Sequence, residues 1–390
     1  MNTDNRIHSI DFTRGLVMII MALDHVRDLL HETALTQSPT DLSSTTPVLF
    51  FTRWITYLCA PTFVFLSGVS VYLSLRRSGN YLKSRSFLFK RGIWLIILEF
   101  TLINFALWFD FQFRLLILQV IAAIGVGFIL LSGLLKVKPV KIGIAALLII
   151  FGHNLLQLVP QSSNGFLNFL SSIFFRPGLQ QVSPNFIFFI AYPLIPWIAI
   201  MLLGFACGKL FEQPLVKQNK SLVVLGTVFL SLFLILRFIN LYGDPQPWVP
   251  GKNSFYTVLS FLNVTKYPPS LLFSLLFLGL MFFLLRAAQF IPGKLGNAVA
   301  IYGKVPLFYY LVHLYLIRLS VFIMVYAQGF TWNDLLFGPF QFGRPASGSG
   351  INLFWVYLVW ASMVILLYPA CKWYGAYKVR NRRKEWVRYL

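Results

Sequence analysis

Apolar segments of membrane-crossing length recur along the whole 390-residue chain, and nothing else in it constrains the fold as strongly. A transmembrane helix needs about 20 predominantly apolar residues. Helices are expected near 8–30, 48–75, 87–108, 114–134, 140–160, 185–209, 221–241, 269–286, 298–326 and 352–374. Hydrophobic residues make up 57% of the chain and charged residues 12%, against roughly 25% charged in a soluble domain. So few charges cannot cover a water-exposed surface. The expected fold class is all-α, a polytopic integral membrane helix bundle of about ten transmembrane helices. It fills residues 1–390 as a single domain with a short basic tail, and leaves no room for a sizeable soluble domain. Neither a linker nor an internal repeat is evident.

The net charge is +21. In a soluble protein this would raise nucleic acid as a partner, but no nucleic-acid motif is present. The cations instead alternate between loops. One set holds Arg6; Arg76, Arg77, Lys83, Arg85, Lys90 and Arg91; Lys136, Lys138 and Lys141; Lys209, Lys217 and Lys220; Arg286 and Lys294; and the tail from Lys372 to Arg388. The other set has only Arg114, Arg176, Lys252, Lys266 and Arg344. By the positive-inside rule the richer set is cytoplasmic, and an even number of spans puts both termini there. Anionic lipid headgroups are the expected partners of this charge. The opposite loops, 31–47, 161–184, 242–268 and 327–351, are longer and carry Trp, Asn, Gly and Pro. They either cover a site or merely connect helices. Asp11 and Arg14 interrupt the first apolar run, which argues against a cleavable signal. Cys59, Cys207 and Cys371 match no metal or disulfide spacing and read as small buried hydrophobes.

The first helix, IHSIDFTRGLVMIIMALDHVRDLLHE, has an uninterrupted apolar run only from Gly15 to Leu23. That is too short to cross a bilayer, so polar groups lie at membrane depth. At 100° per residue Asp11, Arg14, His25, Asp28 and Glu32 share one face, with Asp24 and His31 beside it. An ionisable stripe inside a membrane lines a cavity or pairs internally, and marks a functional candidate. The plainer alternative is an Asp11–Arg14 ion pair at one end and a solvated stretch at the other. Asp11 and His25 are separated by about 21 Å of helix, so Asp11 and Arg14 fall near the inner surface and His25 in the outer half. At the same outer depth lie Arg53, Glu99, Asn104, His153, Asn154 and Arg318. Each alone reads as a satisfied pair; together with Asp24 and His25 they outline a polar chamber. His313 sits mid-helix in YYLVHLYLIRL, and Lys304 near the inner end of the same span.

Pro193 and Pro196 in AYPLIPW lack backbone donors and are expected to kink or break the sixth span. The prolines of KYPPSLLF suit a helix start. Walker A, HExxH, GxSxG and dinucleotide fingerprints are all missing from the sequence, and no metal-ligand set stands out. A histidine with neighbouring carboxylates remains, a pairing suited to general-base chemistry.

IDFTRGLVMIIMALDHVRD resembles the opening of the catalytic domain of the heparan-α-glucosaminide N-acetyltransferase family, which includes bacterial relatives. YPLIPWIAIMLLGFACG, KYPPSLLFSLLFLGL and YGKVPLFYYLVHLYLI resemble the same family, in the expected order and over nearly the whole chain. The resemblance implies a transmembrane acyltransferase of a bacterial inner (plasma) membrane. It would use acetyl-CoA or another acyl-CoA as co-substrate, with no permanently bound cofactor and no metal. The lysosomal enzyme takes acetyl-CoA from the cytosol and acetylates a terminal glucosamine on the lumenal side. An essential histidine at the far end of its first catalytic-domain helix, or in the loop after it, has two counterparts here, His25 and His31. The acceptor carried over is a sugar or glycan only, modified on N or O.

On this basis Arg14, with Asp11, and Arg91 would receive the CoA phosphates. The thioester would arrive near Asp24 and His25. His25 would take a proton from the acceptor, with Asp24 or Asp28 stabilising the imidazolium and His31 as the alternative base. Asn104, Asn154 or Arg53 would donate to the oxyanion. An acyl-histidine intermediate is a second route. Two other functions compete: a transporter of a sugar, lipid or small anion, which suits buried charges and a broken helix, and a lipid-binding membrane protein without chemistry.

Overall fold

The computed structural model describes residues 7–291, 293–346, 348–381 and 384–389. Arg6, Arg382 and Arg383 of the basic-loop set lie outside the described residues. The helices, in chain order, are α1 (His8–Leu30), α2 (Pro47–Thr56), α3 (Cys59–Ser78) and α4 (Tyr81–Leu98). A π-helical turn (Glu99–Ile103) leads into α5 (Asn104–Trp108). Strand β1 (Leu115–Leu118) precedes α6 (Val120–Leu134), α7 (Pro139–Gly152) and α8 (Gly165–Phe174). Strands β2 (Gly178–Ser183) and β3 (Phe186–Ile190) lead to α9 (Leu194–Cys207), α10 (Leu215–Ile239), α11 (Ser254–Leu262) and α12 (Leu271–Ala287). The chain ends with α13 (Gly293–Lys304), α14 (Pro306–Ala327) and α15 (Leu353–Arg380).

The protein is thus an all-α polytopic membrane protein with one small sheet, in strand order β1-β3-β2. Among the described residues seven helical stretches are long and apolar enough to cross a membrane: 47–78, 139–158, 194–212, 215–239, 271–290, 306–327 and 353–380. The expected spans at 8–30, 87–108 and 114–134 are helical, wholly or in part, yet fall outside that set. The first carries Asp11, Arg14, Asp24, Arg27 and Asp28, and α6 has only 15 residues.

Local chemistry sets many of the boundaries. Thr46 accepts the Leu49 N–H and Pro47 opens α2; Asn80, Asn164, Asn253 and Asn352 cap α4, α8, α11 and α15 in the same way. Three sequence expectations need correction. The span near 185–209 begins as strand β3, and Pro193 caps α9 with Pro196 in its first turn, where no intrahelical donor is needed. Those prolines start a helix and do not break one. The segment near 114–134 opens as strand β1, and α6 starts only at Val120. The span at 298–326 is divided at Val305, because Pro306 occupies the first position of a new helix.

By internal packing the chain forms two compact units. The first takes Met1–Cys59, Thr101–Leu115 and Ala287–Leu390; the second takes Ala60–Phe100 and Leu116–Arg286. In the first, α1 is the central element and packs on α2, α13, α14 and α15. Its contact with α13 is backbone to backbone. A Cβ on Gly15 would stand 2.0 Å from the Val299 carbonyl oxygen, and one on Gly303 would stand 1.9 Å from that of Asp11. Small residues of this kind let membrane helices approach closely. In the second unit α4 packs on α6, and α9 on both α6 and α7. There Gly68 and Gly204 form the equivalent close contact between α3 and α9.

Candidate active site on the first helix

The C-terminal half of α1 carries a compact charged cluster. Asp24 accepts from Arg27 Nη2 at 2.9 Å, one turn away on the same helix. Arg53, projecting from α2, places Nη1 2.6 and 2.7 Å from the two Asp24 oxygens and 3.4 Å from Asp28 Oδ2. Arg27 also bonds Asp28. The result is two carboxylates against two guanidinium groups, and their formal charges cancel. The Asp28 side chain is 44% exposed while that of Arg27 is 3% exposed, so the cluster runs from open to closed along the helix. The Arg53 guanidinium also lies over the Tyr57 ring, 5.3 Å from its centroid.

His25 stands next to Asp24 in the chain, half-buried, with Nδ1 2.8 Å from Nε2 of His313 on α14. The rings are nearly parallel, 15° apart, with centroids 5.1 Å apart. Since the nitrogens are much closer than the centroids, the rings meet edge to edge. His313 is fully buried, and its Nδ1 lies 2.9 Å from the Tyr309 carbonyl oxygen. Tyr310 packs edge-on against both imidazoles.

His31 is built differently. It forms the C-cap of α1 and is buried, and its Nδ1 receives the Thr33 N–H at 3.3 Å. Burial, with Arg27 and Arg344 contributing, holds its pKa below the usual imidazole value against the opposing pull of Glu32. Its carbonyl accepts from Arg344 at 3.0 Å, so His31 is part of the helix terminus.

At the other end of α1, Asp11 and Arg14 form a 3.6 Å ion pair, and Arg14 donates to the Gly303 carbonyl at 3.3 Å. Arg91 belongs to the second unit and lies over the Phe87 and Phe128 rings. The residues expected to share a chamber are divided between the units: Arg53, Asn104 and Arg318 in the first, Glu99, His153 and Asn154 in the second. Of these, Arg53 meets the Asp24 cluster. The others engage backbone. Asn104 donates to the Leu115 carbonyl at 3.0 Å, and Arg318 donates to those of Ala106, Leu107 and Phe342. Glu99 accepts the Ala122 N–H at 2.9 Å, which caps α6. His153 bonds the Pro269 carbonyl at 2.7 Å, and Asn154 accepts the Leu271 N–H at 3.0 Å, so this pair fastens the start of α12.

Sequence reasoning passed over Arg27, although its i,i+3 spacing to Asp24 was the signal. It noted His313 without a role; a lone histidine within an apolar helix was the available clue. Arg237 was also missed. It is buried, with four backbone carbonyls, those of Gln246, Ser260, Phe261 and Asn263, around its guanidinium.

Residues 6–238, more than half of the chain, match the family profile described as heparan-alpha-glucosaminide N-acetyltransferase, catalytic. That stretch holds α1 with Asp24, His25, Asp28 and Arg53, and two of the four resembling segments; His313 lies beyond it. No curated protein matches the chain. The family is one of membrane acetyltransferases, and the seven span-length helices agree with an integral membrane enzyme. The chain belongs to the heparan-alpha-glucosaminide N-acetyltransferase catalytic-domain family.

Proposed function

We propose that this protein moves an acyl group, acetyl in the simplest case, from cytosolic acyl-CoA to a sugar or glycan amine or hydroxyl on the extracytoplasmic side, with His25 as general base. The observation that carries the reading is the His25–His313 hydrogen bond, set beside a charge-balanced cluster on the helix that opens the family match. In this reading the acceptor N–H or O–H proton passes to His25 as its N or O attacks the thioester carbonyl. Arg53 donates to the oxyanion; the C–S bond then breaks, and the CoA thiolate recovers the proton from His25. Asp11 and Arg14, at the inner end of α1, are the donor-side residues. The proposed setting is a bacterial inner membrane with both termini cytoplasmic, and the proposed unit of function is a single domain over residues 1–390.

The test is transfer from radiolabelled acetyl-CoA to a panel of amino sugars and glycans by the purified protein. General-base assistance is worth about 10²–10⁴-fold in rate, so His25→Ala should lower transfer within that range and leave thermal stabilisation by CoA intact. His31→Ala should do much less. Normal turnover in His25→Ala with loss in His31→Ala would move the base to the helix end. Absence of both turnover and CoA stabilisation in the wild type would remove the acyltransferase reading.

A further inference from the structure

We infer that His313 is a positioning residue that fixes the tautomer of His25 and so selects which ring nitrogen does the chemistry. The inference rests on the reading of His25 as base. It follows from hydrogen-bond roles. A carbonyl oxygen can only accept, so the 2.9 Å contact between His313 Nδ1 and the Tyr309 oxygen makes Nδ1 the protonated nitrogen. In a neutral ring Nε2 is then the acceptor. The 2.8 Å contact with His25 therefore has His25 Nδ1–H donating and His313 Nε2 accepting. One proton remains on the His25 ring, on Nδ1, which makes Nε2 its basic nitrogen. A backbone carbonyl in α14 thus sets the protonation pattern of a ring on α1, through one intervening imidazole.

The packing holds the relay in one arrangement. His313 is 0% exposed, so water does not compete for its nitrogens. Its ring lies 11° from parallel with that of Tyr309, centroids 5.2 Å apart, and Tyr310 closes the edge against both histidines. When His25 Nε2 takes the acceptor proton, the Nδ1–H bond to His313 becomes charge-assisted and stronger. His313 thereby stabilises the imidazolium without itself touching substrate, the part an orienting carboxylate plays in a hydrolase triad. Asp24, beside His25 in the chain, is held by Arg27 and Arg53, so the orienting partner of His25 comes from a helix 288 residues away.

Two variants and one spectroscopic measurement test this. His313→Phe keeps a ring and removes the acceptor; His313→Gln restores an acceptor oxygen near the position of Nε2. Nitrogen-15 spectra of the histidine rings in full-length protein, assigned with His25→Ala, should show His25 protonated on Nδ1 in the wild type. In His313→Phe the signal should move to a tautomer mixture. Turnover should fall by at least about tenfold, up to the 10²–10⁴ a base is worth, with KM for the donor unchanged. His313→Gln should recover much of the turnover and the Nδ1–H signal. If His25→Ala abolishes transfer while His313→Phe keeps wild-type turnover and tautomer, the positioning role is overturned and the base survives. If His25→Ala turns over normally, the base reading fails, and the spectrum alone decides the relay. A wild-type His25 protonated on Nε2 would overturn the relay even if both His313 variants failed to fold.

Discussion

Asp24→Ala in the cluster on α1 gives the sharpest test of what that carboxylate does. Asp24 is the shared acceptor of two cations, Arg27 at 2.9 Å and Arg53 at 2.6 and 2.7 Å. Removing one partner of a buried ion pair costs about 3–5 kcal/mol, because the remaining charge keeps its desolvation penalty. Asp28 still faces both arginines, and its side chain is 44% exposed, which moves the expected loss to about 3 kcal/mol. Arg53→Met should cost less, since Arg27 continues to serve Asp24. The double variant should be less destabilised than the sum of the singles, by about 0.5–3 kcal/mol. Two buried thiols give a built-in assay: Cys59 and Cys371 are 4% and 0% exposed. In a Cys207→Ser background their modification by a maleimide dye reports unfolding as mild detergent is exchanged for a denaturing one. Additivity within about 0.5 kcal/mol would mean that the two side chains act independently and that the cluster is not a structural unit.

Other expectations follow from single features. Arg318→Met should destabilise the first unit by about 2–4 kcal/mol, because it orphans the Ala106, Leu107 and Phe342 carbonyls; Arg318→Lys should recover only part of this in the same thiol assay. His31 binds fewer protons folded than unfolded between its lowered native pKa and 6.5. Stability should therefore fall as pH drops through about 6.5 and level off below the native pKa, and His31→Gln should flatten that slope in unfolding curves at pH 5.5 and 7.5. Gly303→Ala forces a Cβ to within 1.9 Å of the Asp11 carbonyl oxygen. It should cost at least the 1–3 kcal/mol typical of overpacking, about the upper end here, and lower the yield of folded protein from detergent extracts. A tag in 161–184 should be reachable from outside intact cells and one after Leu390 only after lysis; reversed accessibility would overturn the proposed orientation.

Helix existence was legible wherever apolar residues run on, because a membrane span satisfies its own backbone hydrogen bonds locally. The strand at Phe186–Ile190 was not, since a short apolar run has the same composition in either state. Its Phe and Ile content and the proline at 193 were the available arbiters. Helical spacing sets the ionisable residues of α1 on a stripe, but the stripe does not name partners. Asp24 with Arg27 is a local pair and could have been found by spacing; Asp24 with Arg53, 29 residues apart, needs the turn between α1 and α2. The bond from His25 to His313 depends on how α14 packs on α1, and no local pattern encodes that. Arg318, Glu99, His153 and Asn154 bond backbone groups of other segments, which the sequence does not show. In a sequence, a polar group bound to another element's backbone looks the same as one lining a cavity.

The five cations of the sparse loops have a consequence for how the chain crosses its membrane in the proposed orientation. Arg114 bonds Asp110 and the Phe337 carbonyl; Arg176 bonds the carbonyls of Gln157 and Val159. Arg344 holds the end of α1 through the Leu29 and His31 carbonyls, while Lys252 and Lys266 lie over the Tyr256 and Tyr267 rings. Each positive charge that must be translocated thus acquires a partner within the folded protein. Of these contacts only that of Arg114 with Asp110 cancels a charge; the carbonyls and rings fix the other four side chains in place and leave their charge intact. In the proposed orientation Asp110→Asn would leave Arg114 uncompensated, so it would add one net positive charge to the translocated side and weaken the orienting bias along with the fold.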